Sequence, residues 1–359
     1  MRLNTFYYIS VFLLFNFLAC FNSFSDTIIL KNGKRVEGVV KEKTQDFIIV
    51  DFYGVPLKYY TDDIKEIQTT TRKIPVHTQS YKYNIHKITK GSCFLWEIKS
   101  KRNVVYLLGS IHFGTKKLYP LNKKIEDAFR RSSVLAVEAN INNINILDTL
   151  GLYLDYALYK NGKALKGTLD KKAYELTKKK LEDTGLSIEQ LNMYKPWYVA
   201  LLLQQTEYNS LGYEQQYGID VYFLSKAEGK KKIVELESLE SHFKLLSSLS
   251  DQEQSLLLYY TILDIDNTNR FMNVIINAWR RGDTKTINEI IRKTLLQDPR
   301  LTSFFEKLLY KRNRTMAEKI KKFINDNCDY FIVVGAAHLV GNKSIISMLE
   351  NEGYNIEQL

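Results

Sequence analysis

Residues 103–112, Asn103-Val104-Val105-Tyr106-Leu107-Leu108-Gly109-Ser110-Ile111-His112, decide how this chain is read. The apolar run Asn103 to Leu108 has the length and the β-branched and aromatic content of a buried strand. It breaks at Gly109 and reaches a histidine three residues later. The same order recurs far along the chain, where Tyr330 to Val334 leads into Gly335-Ala336-Ala337-His338. Two more apolar runs end in acids: Val134 to Val137 in Glu138-Ala139-Asn140, and Lys232 to Leu236 in Glu237. With Phe94 to Ile98 and a last candidate near Tyr354, these strands alternate with helical patterns, the signature of an α/β fold. In such sheets functional sites assemble at the carboxyl ends of the strands. His112, His338, Glu138 and Glu237 are therefore expected at one edge of one mixed sheet, each glycine letting the chain turn sharply off its strand. A buried Glu138 would need a cation, a hydrogen-bond network or water.

A long, mostly helical insertion separates the third strand of this set from the fourth. Within it Ser187 and Gln190 form a capping-box pattern, and Pro196 suits the first turn of a helix. Phe271, Val274, Ile275, Ala278 and Trp279 keep helical spacing before the Gly282-Asp283 break. Further on, Arg312 falls on one helical stripe with Met316, Ile320 and Phe323. An inward arginine needs a carboxylate or a substrate oxygen, and Asn313 beside it reaches the same place. His242, five residues after Glu237, reads as a packing residue at the start of a helix.

Before Gly91 the pattern differs. Short β segments, Thr27 to Leu30, Arg35 to Val40, Phe47 to Phe52, Val55 to Tyr60 and Ile64 to Ile67, are separated by turn signals such as Asn32-Gly33 and Gly54. They predict a small all-β barrel over 26–68 that resembles SH3-like or Sm-like modules. A polar linker follows over 69–91, carrying His77 and His86. Residues 1–25 have the layout of a secretory signal peptide, with Arg2 ahead of the apolar stretch Phe6 to Ala19 and Ser23-Phe24-Ser25 before the cleavage point. Two alternatives are a lipid on Cys20 and a retained anchor. Export across the inner membrane places the protein in the periplasm or envelope, in an oxidising space. There Cys93 and Cys328, each just ahead of a strand, become a disulfide if those strands are neighbours.

The chain has 359 residues, 45% hydrophobic and 25% charged, a composition that excludes disorder. Its net charge of +11 does not point to nucleic acid. The lysine runs Lys178 to Lys180 and Lys230 to Lys232 lie among acids such as Glu182, Asp183 and Glu228, whereas backbone recognition gathers charge on one surface.

At these residues the chain resembles the TraB/GumN family, which includes pheromone-shutdown proteins of bacterial plasmids and the animal TIKI proteins. The resemblance runs from about Cys93 to Leu359 and rests on ordered motifs. Beyond the strand ends already quoted these are Leu118-Tyr119-Pro120-Leu121, Lys195-Pro196-Trp197, Gly218-Ile219-Asp220, Gly282-Asp283 and Arg312-Asn313. It departs from the family at Asn140, where many relatives carry an acid, and at His242, where a glutamine is common. The resemblance implies a metal-dependent peptidase. His112 and His338 would be ligands to a divalent Zn, Mn or Co ion, joined by Glu138 or Glu237, with the other glutamate taking a proton from water. Arg312, with Asn313 beside it, would steady an oxyanion or a substrate carboxylate. The substrate would be a peptide or protein, with no nucleic acid and no membrane contact beyond a lipid or anchor. The alternatives are an envelope protein that sequesters a peptide or haem-like ligand without turnover, and a metal-independent esterase or amidase using one of the histidines as base.

Overall fold

The computed structural model describes residues 26–31, 35–52, 55–68, 92–141, 148, 151–184, 186–298 and 300–359. The signal-peptide reading, the linker and its histidines His77 and His86 lie outside them. Among the described residues no helix is long and apolar enough to cross a membrane.

Five N-terminal strands form where the turn signals delimit them: β1 Asp26–Leu30, β2 Arg35–Lys43, β3 Phe47–Phe52, β4 Val55–Tyr60 and β5 Ile64–Gln68. They pair antiparallel in the order β4-β3-β2-β1-β5, so the last strand returns to the first. Ile28, Leu30 and Ile48 are their buried cluster.

The larger unit is a mixed sheet of β6 Leu95–Lys99, β7 Val104–Ser110, β8 Val134–Val137, β9 Lys232–Glu235, β10 Tyr330–Gly335 and β11 Ile356–Gln358. Its order is β11-β6-β7-β10-β8-β9. β7, β10, β8 and β9 run parallel, and β6 pairs antiparallel with both β7 and β11. Central β8 and β10 are buried at every position, as continuous apolar runs require in a sheet covered on both faces. The four parallel strands point their carboxyl ends the same way, which is what brings the polar residues after them together.

The longer helices are α1 Lys123–Arg131, α2 Lys171–Glu182, α3 Pro196–Ser210, α4 Ile219–Ala227, α5 Leu239–Ser247, α6 Asp251–Asp264, α7 Thr268–Arg280, α8 Thr284–Gln297, α9 Lys311–Ile324 and α10 Ile345–Asn351. Pro196 opens α3 as expected. Gly282, at φ +64, lets α7 stop and Asp283 turn in to cap α8, accepting from Thr286 N at 3.0 Å. On α9 the predicted stripe holds for three of its four residues: Arg312, Met316 and Ile320 are buried, while Phe323 is half-buried.

Two expectations are corrected. Ser187 and Gln190 do exchange the two bonds of a capping box, at 2.9 and 3.3 Å, but a chain of turns follows them rather than a helix. The bonds that follow are three-residue turns, Leu191 N to Ile188 O at 3.2 Å and Asn192 N to Glu189 O at 3.3 Å, after which Lys195 N bonds away to Ala157 O at 2.8 Å. Cys93 and Cys328 are both free, the first buried and the second exposed. Each precedes its strand, but β6 runs against β7 while β10 runs with it. The two cysteines therefore stand at opposite edges of the sheet, which rules out the bridge.

Candidate active site

Backbone pairing places the two acids side by side. The β8–β9 ladder continues past both strands, with Leu236 N bonded to Val137 O at 2.8 Å and Glu237 N to Glu138 O at 2.7 Å. β10 lies on the other side of β8, and Gly335 N donates to Glu138 Oε1 at 2.6 Å. The strand-end glycines do not serve to turn the chain. Neither Gly109 nor Gly335 has a positive φ; Gly335 sits at φ −52°, ψ 136°, open to any residue. Their worth is in the missing Cβ. A Cβ at Gly109 would lie 2.4 Å from the Phe94 ring. A Cβ at Gly335 would project into a space bounded by Glu138 Oε1 at 3.4 Å, His338 Cδ2 at 3.6 Å and His112 Nε2 at 3.7 Å. Three of the expected residues thus converge on one point.

The fourth, Glu237, stands one step away behind Arg312. The guanidinium reaches inward from α9: Nε donates to both Glu237 oxygens at 2.9 Å, Nη2 to Glu138 Oε2 at 2.7 Å and to Glu237 Oε2 at 2.5 Å, and Nη1 to Leu308 O at 3.2 Å. Leu308 belongs to a π-helical turn, Glu306–Tyr310, that feeds directly into α9. Such turns recur where a helix must aim a functional side chain. Asn313 does not join Arg312. It turns to His338, its Oδ1 contacting Nδ1 of the ring while its Nδ2 donates to Lys343 O at 2.7 Å.

Two residues of the site escaped the sequence reading. His242 Nε2 lies 2.9 Å from Glu237 Oε2 and 3.1 Å from Arg312 Nη2. The signal was there: Ser238 caps α5, which makes Glu237 and His242 the N′ and N4 positions that usually carry an apolar staple. Asp220 is the other. Its Oδ1 lies 3.0 Å from His112 Nδ1. In the sequence it stands only as the last residue of Gly218-Ile219-Asp220.

The electrostatics follow from this packing. Burial would raise Glu138, but the neighbouring His338, Arg312 and His112 outweigh it and bring its carboxyl down to about 2. Glu237 is likewise driven below the ordinary range, burial being overcome by Arg312 and by the His242 hydrogen bond. Burial brings His338 down to about 4, only partly opposed by Glu138. His112 is just as enclosed, but the Asp220 carboxylate overcomes burial and leaves its value raised.

Two sets of ligand atoms present themselves to a cation. Glu138, Glu237 and His242 offer atoms within 4.8 Å of one another. Arg312 Nη2 bonds to all three, so a positive group already holds that triangle. The second set is His112 Nε2, His338 Nε2 and Glu138 Oε1. Both Nε2 atoms are buried without a hydrogen-bond partner, and Glu138 Oε1 stands 3.7 Å from that of His338. Two orphaned imidazole nitrogens and a carboxylate oxygen bound one space beside Gly335, and they are the donor types that a divalent ion of the Zn, Mn or Co kind takes.

The sequence profile of the TraB/PrgY/gumN family matches residues 94–358. The chain is 25% identical to the uncharacterized protein YbaP of Escherichia coli K12 over 245 residues, 68% of this chain and 87% of that one. It is 23% identical over 324 residues to metalloprotease TIKI1 of Xenopus tropicalis, covering 75% of this chain and 62% of the relative. With metalloprotease TIKI1 of Homo sapiens it shares 24% over 322 residues, 74% of this chain and 61% of the relative. No solved structure matches it.

Proposed function

The chain belongs to the TraB/PrgY/gumN family, and from that premise we propose that it is a metal-dependent peptidase acting on peptides or protein N-terminal segments outside the cytoplasm. The observation that carries the reading is the pair of buried, unpartnered Nε2 atoms of His112 and His338 facing Glu138 Oε1. The similarity to TIKI metalloproteases supports it. A divalent ion bound there would polarise a scissile carbonyl and make a water acidic enough to attack near neutral pH. His112, His338 and Glu138 would hold it. Glu138 divides its oxygens between two tasks, Oε2 anchored by Arg312 and Oε1 turned to the histidines. Arg312 is committed to two carboxylates and a carbonyl, so we assign it to bracing Glu138 and Glu237 rather than to an oxyanion. Export by residues 1–25, or lipid attachment at Cys20, belongs to the same proposal and is tested by the N-terminus and mass of the mature protein.

The deciding experiment loads the purified protein with Zn, Mn or Co in turn, desalts it and measures retained ion, with the His112→Ala/His338→Ala variant alongside. About one ion per chain in the wild type and none in the variant is expected. Cleavage of a broad peptide library should then be abolished by a chelator. Folded protein that retains no ion and cleaves nothing would overturn the reading; tight peptide binding without product would replace it by sequestration. A second reading has its own observation, the His112–Asp220 pair, which is the arrangement of an imidazole base oriented by a carboxylate. Hydrolysis that resists chelation would favour this metal-free hydrolase.

A further inference from the structure

The two histidines of the centre are approached differently from behind. Gly218 caps α4 against the histidine loop, and a Cβ on it would lie 2.4 Å from His112 O. Ile219 N donates to Ile111 O at 3.0 Å. This close contact sets Asp220, in the first turn of α4 and 6% exposed, beside His112 Nδ1 at 3.0 Å. A carboxylate only accepts, so in the neutral imidazole the bond requires the proton on Nδ1 and leaves Nε2 bare. His338 reaches the same result by another route. Asn313, 1% exposed, spends its Nδ2 on Lys343 O, which leaves its Oδ1 to meet His338 Nδ1. That acceptor again demands a proton on Nδ1.

We propose that Asp220 and Asn313 are the positioning residues of the centre: each accepts the Nδ1 proton of one histidine and so turns both Nε2 lone pairs toward Glu138. The inference rests on the metallopeptidase reading for its purpose but not for its geometry. Neither residue touches the space between the histidines; each acts through a ring. Outer partners of this kind fix the tautomer and orientation of a ligating imidazole, and their loss weakens metal binding roughly 10- to 100-fold.

The test is made first on metal-free full-length protein labelled with 15N-histidine, at a pH where both rings are neutral. Nitrogen–proton correlation spectra report which ring nitrogen carries the proton. Nδ1–H is expected on His112 and His338 in the wild type. Asp220→Ala should release only His112 and Asn313→Ala only His338, while Asp220→Asn, which still offers an acceptor, should keep His112 as in the wild type. Nε2–H on either ring of the wild type, or alanine variants that leave both tautomers unchanged, would overturn the proposal. Cobalt affinity, by competition with a chelator, is measured on the same proteins. Tautomers that respond as expected in a protein that binds no metal would sink the peptidase reading and leave the positioning role standing; unchanged metal affinity in folded Asp220→Ala would sink the role in metal binding.

Discussion

Arg312 Nη2 lies 2.7 Å from Glu138 Oε2 and fixes which oxygen of that carboxylate faces the histidines. The pair is 8% and 4% exposed, so neither charge has water to fall back on. Glu237, clasped by the same guanidinium, completes a triad in which one cation balances two acids.

Replacing Arg312 by methionine keeps the packing and strands both carboxylates. We expect a loss of about 3–5 kcal/mol in chemical denaturation, the cost of breaking a buried ion pair from one side. Arg312→Lys should recover only part, because an ammonium cannot span both acids. Adding Glu237→Gln to Arg312→Met should cost much less than the two single losses together. A folded Arg312→Met protein as stable as the wild type would refute the clasp.

The same triad makes the metal-free protein sensitive to acid. Glu138 and Glu237 titrate below their ordinary values in the folded state, so the unfolded chain takes up protons first. Their contribution is present above the ordinary value of 4.5 and drains away as pH falls toward about 2. His338, lowered from 6.5 to about 4, acts in the same direction between those two values, ahead of the carboxylates. Denaturation midpoints measured in chelator should fall steadily from pH 6 to pH 3, below the region where His112, raised above 6.5, acts in the opposite direction. The slope should shrink in Glu237→Gln; an identical slope in that variant would count against this assignment.

Gly335 is a test of space rather than of backbone. Alanine suits its φ and ψ, and every neighbour of the added Cβ lies at 3.4 Å or beyond. Gly335→Ala should fold with a melting temperature near that of the wild type and yet lose metal binding by roughly tenfold or more, as displaced supporting geometry does. Gly109→Ala should do the opposite, costing about 1–3 kcal/mol by driving a methyl into the Phe94 ring. Equal stability of both variants would mean that the Phe94 contact relaxes freely.

The two cysteines of the larger unit should separate cleanly under alkylation. Cys93 is buried and its thiol is pushed up to about 11, whereas Cys328 is exposed. Iodoacetamide at pH 8 is expected to label Cys328 in the native protein and Cys93 only after denaturation, because the thiolate is the reactive form. Peptide mapping under oxidising conditions should find no Cys93–Cys328 link.

The strands and their polar ends were legible because they are local. A continuous apolar run marks a buried strand, and the first polar residue past it marks the sheet edge, whatever the rest of the chain does. The five N-terminal strands, the strand segments of the larger sheet and the inward side of α9 at Arg312, Met316 and Ile320 follow from local pattern, while the sheet order does not. The meeting of His112, His338 and Glu138 was legible too, since parallel strands share one carboxyl edge.

Partner choice was decided only in three dimensions. Asp220 reaches His112 across 108 residues and Arg312 reaches Glu138 across 174, separations over which no periodicity carries information. Glu237 stands at the predicted edge, but the guanidinium between it and the histidines comes from a helix packed onto the sheet. The capping box without a helix, the glycines kept for clearance and the cysteines parted by an antiparallel strand have one cause. Residue type and spacing set what a segment can form, and the packing of distant segments sets what each side chain meets.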